Sequence, residues 1–273
     1  MIFFPYAKIN IGLNVVERRD DGYHNIETVF FPVKGLCDIL EITLNPTQTQ
    51  PFVFSQSGLS IGGNPGENLC VRAYQLLSSQ INLPRIAMHL HKQIPFGAGL
   101  GGGSSDGAVA LSVLNRLSRK PLSEDKLHVL ALTLGSDCPF FLRDAPCYAI
   151  GRGDCLQPVD ITLTGYHILL VNPGIHINTG KAYSLIKPVT SINKLPDLVK
   201  KSMSDWQGYI VNDFEEVVFP LYPEIGELKA RMLKMGAIYS AMSGSGSTVY
   251  GLFTSKPDYS RTFGDYYTFY QKL

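Results

Sequence analysis

The sequence predicts an α+β protein of two modest domains, on three observations. The N-terminal residues alternate apolar and polar over long runs that read as strands. A glycine-dense stretch, Pro95 to Ala108, lies between a strand-like run and a helix-like one. From Gly165 a second unit opens with the apolar run HILLV and continues through an amphipathic helix and two more strand-like runs. A chain of 273 residues is long enough to bury a substantial core in each of two such units.

In the first run, Ala7, Ile9, Ile11, Leu13 and Val15 alternate with Lys8, Asn10, Gly12 and Asn14, so a strand sets Lys8 and Asn10 on one face. That face is either the wet side of a half-exposed antiparallel strand or a cation and an amide aimed together at a ligand. RRDDGYHNIETVF then reads as a charged turn pivoting on Gly22, with Tyr23 and His24 at its exit and a strand through Phe31. ENLCVRAYQLL reads as a helix with Leu69, Ala73, Leu76 and Leu77 inward and Asn68 as a capping residue.

Ile86, Met88 and Leu90 alternate with Ala87, His89 and His91, a strand leading into the glycine stretch. Of the seven residues Gly97 to Gly103, all but Leu100 are glycine or alanine. Backbone that bare usually approaches a ligand, because glycine reaches positive φ at little steric cost and successive N–H groups can converge on one anion. Ser104, Ser105 and Asp106 then look like capping residues for a helix whose apolar positions are Ala108, Val109, Leu111, Val113, Leu114 and Leu117. The amides and dipole of a helix N-terminus favour the same ligand, a phosphate. No lysine follows the last glycine, which excludes a Walker A loop. Gly97, Gly99 and Gly102 satisfy GxGxxG, with Glu124 near the distance of a ribose-binding acid, but any glycine-dense run does so, and antiparallel-looking strands come first. A purely structural loop is the third reading.

A formal charge of +1 and the lack of a long block of like charge argue against nucleic acid as the main partner. No apolar run reaches the length of a membrane span, and MIFFPYAK lacks the features of a signal peptide, so a cytoplasmic protein is expected. Cysteines 37, 70, 138, 147 and 155 are odd in number and contain no CxxC pair, which favours packing residues over a disulfide framework or a structural zinc site. Glu224 to Met235 is amphipathic, with Ile225, Leu228, Met232 and Met235 in one stripe and Gly236 following. AIYSAM and STVYGLF flank SGSG as strands around a turn, and the Tyr- and Phe-rich C-terminal end is expected to form a closing helix.

The segments AKINIGLNV, DGYHNIETVF, PFGAGLGGGSSDGA, LGSDCPFFL, GRGD at Gly151, NPGIHINTGKAY at Asn172, NDFE at Asn212 and MSGSGSTVYGLF at Met242 follow one another over nearly the whole chain. Together they resemble the successive motifs of the 4-diphosphocytidyl-2-C-methyl-D-erythritol kinase family, a branch of the GHMP kinase superfamily. The resemblance implies a two-domain GHMP kinase fold: an N-terminal ATP-binding domain over residues 1–160 and a ferredoxin-like C-terminal domain over residues 161–273, with the active site in the cleft between them. It implies ATP as donor, magnesium as companion ion and a small-molecule partner, 4-diphosphocytidyl-2-C-methyl-D-erythritol. The reaction is phosphorylation of that partner's 2-hydroxyl, in the non-mevalonate route to isoprenoid precursors.

Matched position by position, Lys8 and Asp137 correspond to the catalytic pair. Pro95, Phe96, Gly97, Ala98, Gly99, Leu100, Gly101, Gly102, Gly103, Ser104 and Ser105 correspond to the ATP-phosphate loop, and Asn68 and Lys92 to the adenine pocket. Asn10, Tyr23, His24, Thr179 and Tyr183 correspond to substrate positions, while no residue is matched to the metal. Asp137 follows Gly135, which ends a helix starting near Ser123, so it is either a turn-capping aspartate or the group that orients or deprotonates the alcohol. One departure is Asp106-Gly107-Ala108, where the family more often has Asn-Ala-Ala. An acid there suits the helix dipole yet repels phosphate unless it points away. A sibling kinase acting on homoserine or mevalonate would share the loop but lack DGYH, and a binding module without catalysis would have no need of both Lys8 and Asp137.

Overall fold

The computed structural model describes residues 1–60, 64–189, 194–264 and 266–273. Its strands are β1 (Ile2–Phe3), β2 (Tyr6–Arg18), β3 (His24–Cys37), β4 (Ile39–Leu44), β5 (Phe52–Gly58), β6 (Ile86–Lys92), β7 (Cys147–Ile150), β8 (Cys155–Pro158), β9 (His167–Asn172), β10 (Tyr239–Met242), β11 (Val249–Phe253) and β12 (Tyr267–Lys272). Its helices are α1 (Leu69–Ser78), α2 (Gly102–Leu117), α3 (Glu124–Leu134), α4 (Cys138–Phe141), α5 (Thr179–Leu185), α6 (Leu195–Leu198), α7 (Phe214–Leu221) and α8 (Pro223–Lys234). They form two compact units. The first comprises Met1–Lys8, Val33–Phe96 and Gly101–Asp144, and the second Ile9–Pro32, Gly97–Leu100 and Ala145–Leu273.

The first unit contains a sheet of order β1-β4-β6-β5, in which β6 is antiparallel to β4 and parallel to β5. The period-two pattern of β6 buries Ile86, Met88 and Leu90, and the register sets Leu40 and Ile42 of β4 beside Leu90 and Met88 on the same covered face. Helix α1 packs on α2. It starts where Asn68 Oδ1 accepts from the Cys70 amide at 2.9 Å, and it buries Cys70, Ala73 and Leu77. Leu76, expected inward, is only half-buried.

In the second unit, a sheet of order β10-β11-β9-β12 is antiparallel throughout. Ile168, Leu169, Leu170 and Val171 of β9 are all buried, so this strand is covered on both faces. Helix α8 packs on β10 and β11 and buries Ile225, Leu228 and Met232. Around it, Leu13, Val15, Phe214, Val218 and Phe253 join one apolar core.

Two expectations are corrected by this fold. The C-terminal end is strand β12, paired with β9 from Tyr267↔Asn172 to Lys272↔His167, and not a helix. The central strand needs a second neighbour for its backbone groups, and Tyr, Thr and Phe suit a pleated surface. Strand β2, in a sheet of order β2-β3-β7-β8, has no wet face: it is buried continuously from Ala7 to Val15, with Lys8 at 3% and Asn10 at 2% exposure. Among the described residues, no helix is long and apolar enough to cross a membrane.

Candidate active site

In the first unit, Lys8 Nζ lies 3.5 Å from Asp137 Oδ2, and the side chains are 4% and 33% exposed. Burial pulls the Lys8 ammonium below its ordinary pKa, while the charge and hydrogen bond of Asp137 oppose that pull. The motif LGSDCPFFL places the carboxylate by bringing two helices together. Helix α3 ends at Gly135, whose carbonyl accepts from the Cys138 amide at 3.1 Å, and α4 begins directly after Asp137. The Asp137 side chain makes no capping bond to α4, so the turn-capping reading gives way to a carboxylate that faces Lys8.

The glycine run has the backbone its composition predicts, with φ of 65° at Gly97, 77° at Gly99 and 69° at Gly101. Gly101 is the left-handed N-cap of α2 and offers no side-chain cap. The helix therefore begins at Gly102, and Ser104, Ser105 and Asp106 lie inside its first turns instead of ahead of it. A helix start with no capping side chain leaves amides available to a ligand. A Cβ built on Gly103 would meet nothing within 4 Å, so open space adjoins that backbone. Ser105 Oγ is buried with no hydrogen-bond partner among the described residues.

Lys92 and Asp106 explain each other. Lys92 Nζ donates to Asp38 Oδ2 and, at 2.8 Å, to Asp106 Oδ2, with all three side chains at 3% exposure or less. Burial pushes the Asp106 carboxyl well above the usual carboxylate range; Lys92 opposes this and Asp38 adds to it. Burial alone would lower Lys92, but its two carboxyl neighbours outweigh that and raise it. The departure from the family pattern at Asp106 is thus turned inward to a cation. Asn68 is occupied as the α1 cap.

The second unit carries the remaining positions. The Asn10 amide N–H donates to Ser243 Oγ at 3.2 Å, and Asn10 Nδ2 donates to Thr28 Oγ1 at 2.9 Å. Ser243 Oγ in turn donates to the Gly99 carbonyl at 2.9 Å, and the Thr248 amide donates to Ala98 O at 3.2 Å, which fastens the SGSG turn to the glycine run. Asn212 of NDFE holds the same turn from its other side, donating to Met242 O at 2.7 Å and Gly244 O at 2.8 Å. Sequence reading gave no role to Ser243 or Asn212. The available signal was a polar pair embedded among apolar runs, whose partners are remote in the chain.

His24 stacks on Tyr183 with ring centroids 4.9 Å apart and 17° between planes, and Tyr183 meets Phe214 edge-on at 4.8 Å. Thr179 Oγ1 bonds Ser245 Oγ at 2.9 Å, and the half-exposed Tyr23 lies under the Arg152 guanidinium, 3.6 Å from the ring centroid. Partial burial lowers the pKa of His24, and Arg18 adds to the effect.

The family model for the GHMP kinases N terminal domain matches residues 68–144, and that for GHMP kinases C terminal matches residues 192–261. These two matches, on this fold, define a GHMP kinase. A Bacteroides thetaiotaomicron protein named 4-diphosphocytidyl-2-C-methyl-D-erythritol kinase is 49% identical over 253 residues, covering 93% of this chain and 92% of its own. An Azobacteroides pseudotrichonymphae protein of the same name is 50% identical over 254 residues, covering 93% of each chain. A crystal structure of 4-(cytidine 5'-diphospho)-2C-methyl-D-erythritol kinase superposes with a TM-score of 0.78 at 33% identity, covering 92% of this chain and 90% of that one. The mevalonate kinase of Methanococcus jannaschii, at 14% identity and a TM-score of 0.70 over 100% of this chain and 98% of that one, shares the fold. The chain belongs to the 4-diphosphocytidyl-2-C-methyl-D-erythritol kinase family.

Proposed function

We propose that the protein transfers the γ-phosphoryl group of ATP to the 2-hydroxyl of 4-diphosphocytidyl-2-C-methyl-D-erythritol, within two GHMP domains over residues 1–160 and 161–273. The observation that carries this reading is the buried Lys8 ammonium beside the partly open Asp137 carboxylate. Phosphoryl transfer has a loose transition state, so alignment and charge neutralisation do most of the work. The amides of the glycine run and the α2 N-terminus bind the triphosphate. Asp137 accepts the hydrogen bond of the alcohol and aims its oxygen, and Lys8 neutralises negative charge as the new bond forms. Asn10, Tyr23, His24, Thr179 and Tyr183 hold the alcohol substrate, with the cytosine ring taken by the aromatic group and its edge by His24.

Among the described residues, no three His, Cys, Asp or Glu side chains are grouped to hold a metal ion. Ser105 Oγ, buried at the start of α2 without a hydrogen-bond partner among the described residues, would hold a magnesium ion that enters with ATP, and the ion would neutralise phosphate charge. The need for ATP and the odd number of cysteines, with no CxxC pair, support a cytoplasmic location. A coupled ADP-release assay with ATP and a panel of alcohols tests the assignment. Release with the diphosphocytidyl substrate, and none above background with homoserine or mevalonate, is the expected result; the reverse would sink it.

A further inference from the structure

Asp38, Lys92 and Asp106 come from three segments that converge at the start of α2. Asp38 stands between β3 and β4, Lys92 ends β6, and Asp106 lies on the second turn of α2. The second oxygen of Asp38, Oδ1, accepts from the Gln93 amide at 2.6 Å and the Ile94 amide at 2.9 Å, the two residues just before Pro95 opens the glycine run. Asp106 holds the far side of the run, one helical turn beyond Gly102, and Lys92 ties the two acids together. The same ammonium underlies the first helical residue, since a Cβ on Gly102 would come within 3.2 Å of Lys92 Nζ and 2.9 Å of Ile94 Cγ2.

A buried ion cluster of this kind contributes little net stability, because desolvation offsets most of the attraction. What it does contribute is a fixed geometry, since Lys92 bonds one oxygen of each acid while the other oxygen of Asp38 takes two backbone amides. We propose that Asp38, Lys92 and Asp106 form a positioning element that holds the entry and exit of the glycine run at a set separation, so that the ATP phosphates meet amides already in place. This rests on the ATP-phosphate reading of the run, and it assigns Lys92 to the support of the cradle in place of contact with the nucleotide.

The test compares Asp106→Ser, whose side chain is too short to reach Lys92, with Asp106→Asn, which keeps the shape and an acceptor oxygen. ATP affinity is measured calorimetrically without the alcohol, and KM for each substrate is measured separately. Asp106→Ser is expected to weaken ATP binding and raise the ATP KM by about tenfold with the alcohol KM within about twofold, while Asp106→Asn restores ATP affinity to within about threefold. Should Asp106→Ser fail to fold, Asp38→Asn, isosteric but unable to serve both the Gln93 and Ile94 amides and the ammonium, is expected to show the same selective loss. Unchanged ATP affinity in a folded variant, or equal rises in both KM values, overturns the proposal. Wild-type protein that binds ATP but releases no ADP with the diphosphocytidyl alcohol would overturn the functional assignment and leave the positioning result readable from the calorimetry.

Discussion

At Lys8 the fold works against the charge that the proposed phosphoryl transfer calls for. Burial lowers the pKa of this ammonium, so the folded chain binds that proton less readily than the unfolded chain does. The resulting penalty on stability is present below the folded pKa and fades as pH rises towards the ordinary value of 10.5. Lys8→Met should therefore melt no lower than wild type at pH about 7, an advantage shrinking in alkaline buffer, while turnover falls by orders of magnitude. Thermal denaturation across pH, paired with the ADP-release assay, checks both halves. Asp137→Asn should fold normally and lose about 10²–10⁴ in kcat, the range expected for an acid–base or orienting group; near-normal turnover would remove it from the reaction. His24 is shifted in the same direction, in the acid range. With its pKa lowered from 6.5 by partial burial and by Arg18, the ring favours its neutral form, so KM for the alcohol should hold steady from neutral pH down through 6.5 and rise only in more acid buffer as imidazolium forms. The nearness of Lys8 and Asp137 was legible because a motif carries each of them. The neutralising partner of Asp106 was not, because Lys92 and Asp38 approach it only through tertiary packing.

Among the elements, the glycine run and the helix behind it separate shape from function. At Gly99 the backbone has φ of 77°, and a Cβ would fall 1.9 Å from the Ser243 carbonyl oxygen. Gly99→Ala should lose more than the ~1–2 kcal/mol of left-handed strain alone, read as a lower midpoint in urea. Gly103 is the contrasting case, because its Cβ would enter open space beside the α2 N-terminus. Gly103→Ala should hold or gain stability, by up to about 1 kcal/mol of helix propensity, and yet raise the ATP KM about tenfold by crowding the phosphates. A variant equal to wild type in ATP KM would place the nucleotide elsewhere. The strand before the run and the apolar stripe of α2 could be read from periodicity, but the first helical residue could not. It was decided by a left-handed Gly101, where sequence pointed to serines and an aspartate as caps. The C-terminal strand was misread for a related reason: Tyr267 to Lys272 takes its conformation from the whole length of β9 beside it.

For the molecule as a whole, reading along the chain finds segments, whereas compactness depends on which segments pack together. Met1–Lys8 joins Val33–Phe96 and Gly101–Asp144 in one unit, a grouping that local pattern cannot disclose. In the other unit, β12 closes the open side of β9 along six residues. Deleting residues 267–273 should bare an apolar strand edge and convert soluble protein into aggregate, seen as loss of the monodisperse peak in size exclusion. The left-handed glycines at 97, 99 and 101 also bear on nucleotide choice. Amides that meet only phosphate oxygens meet the same atoms in a purine and in a pyrimidine nucleotide. If the run binds the triphosphate as proposed, discrimination between nucleobases resides outside it, and GTP or CTP should displace ATP to the extent that their shared triphosphate tail allows.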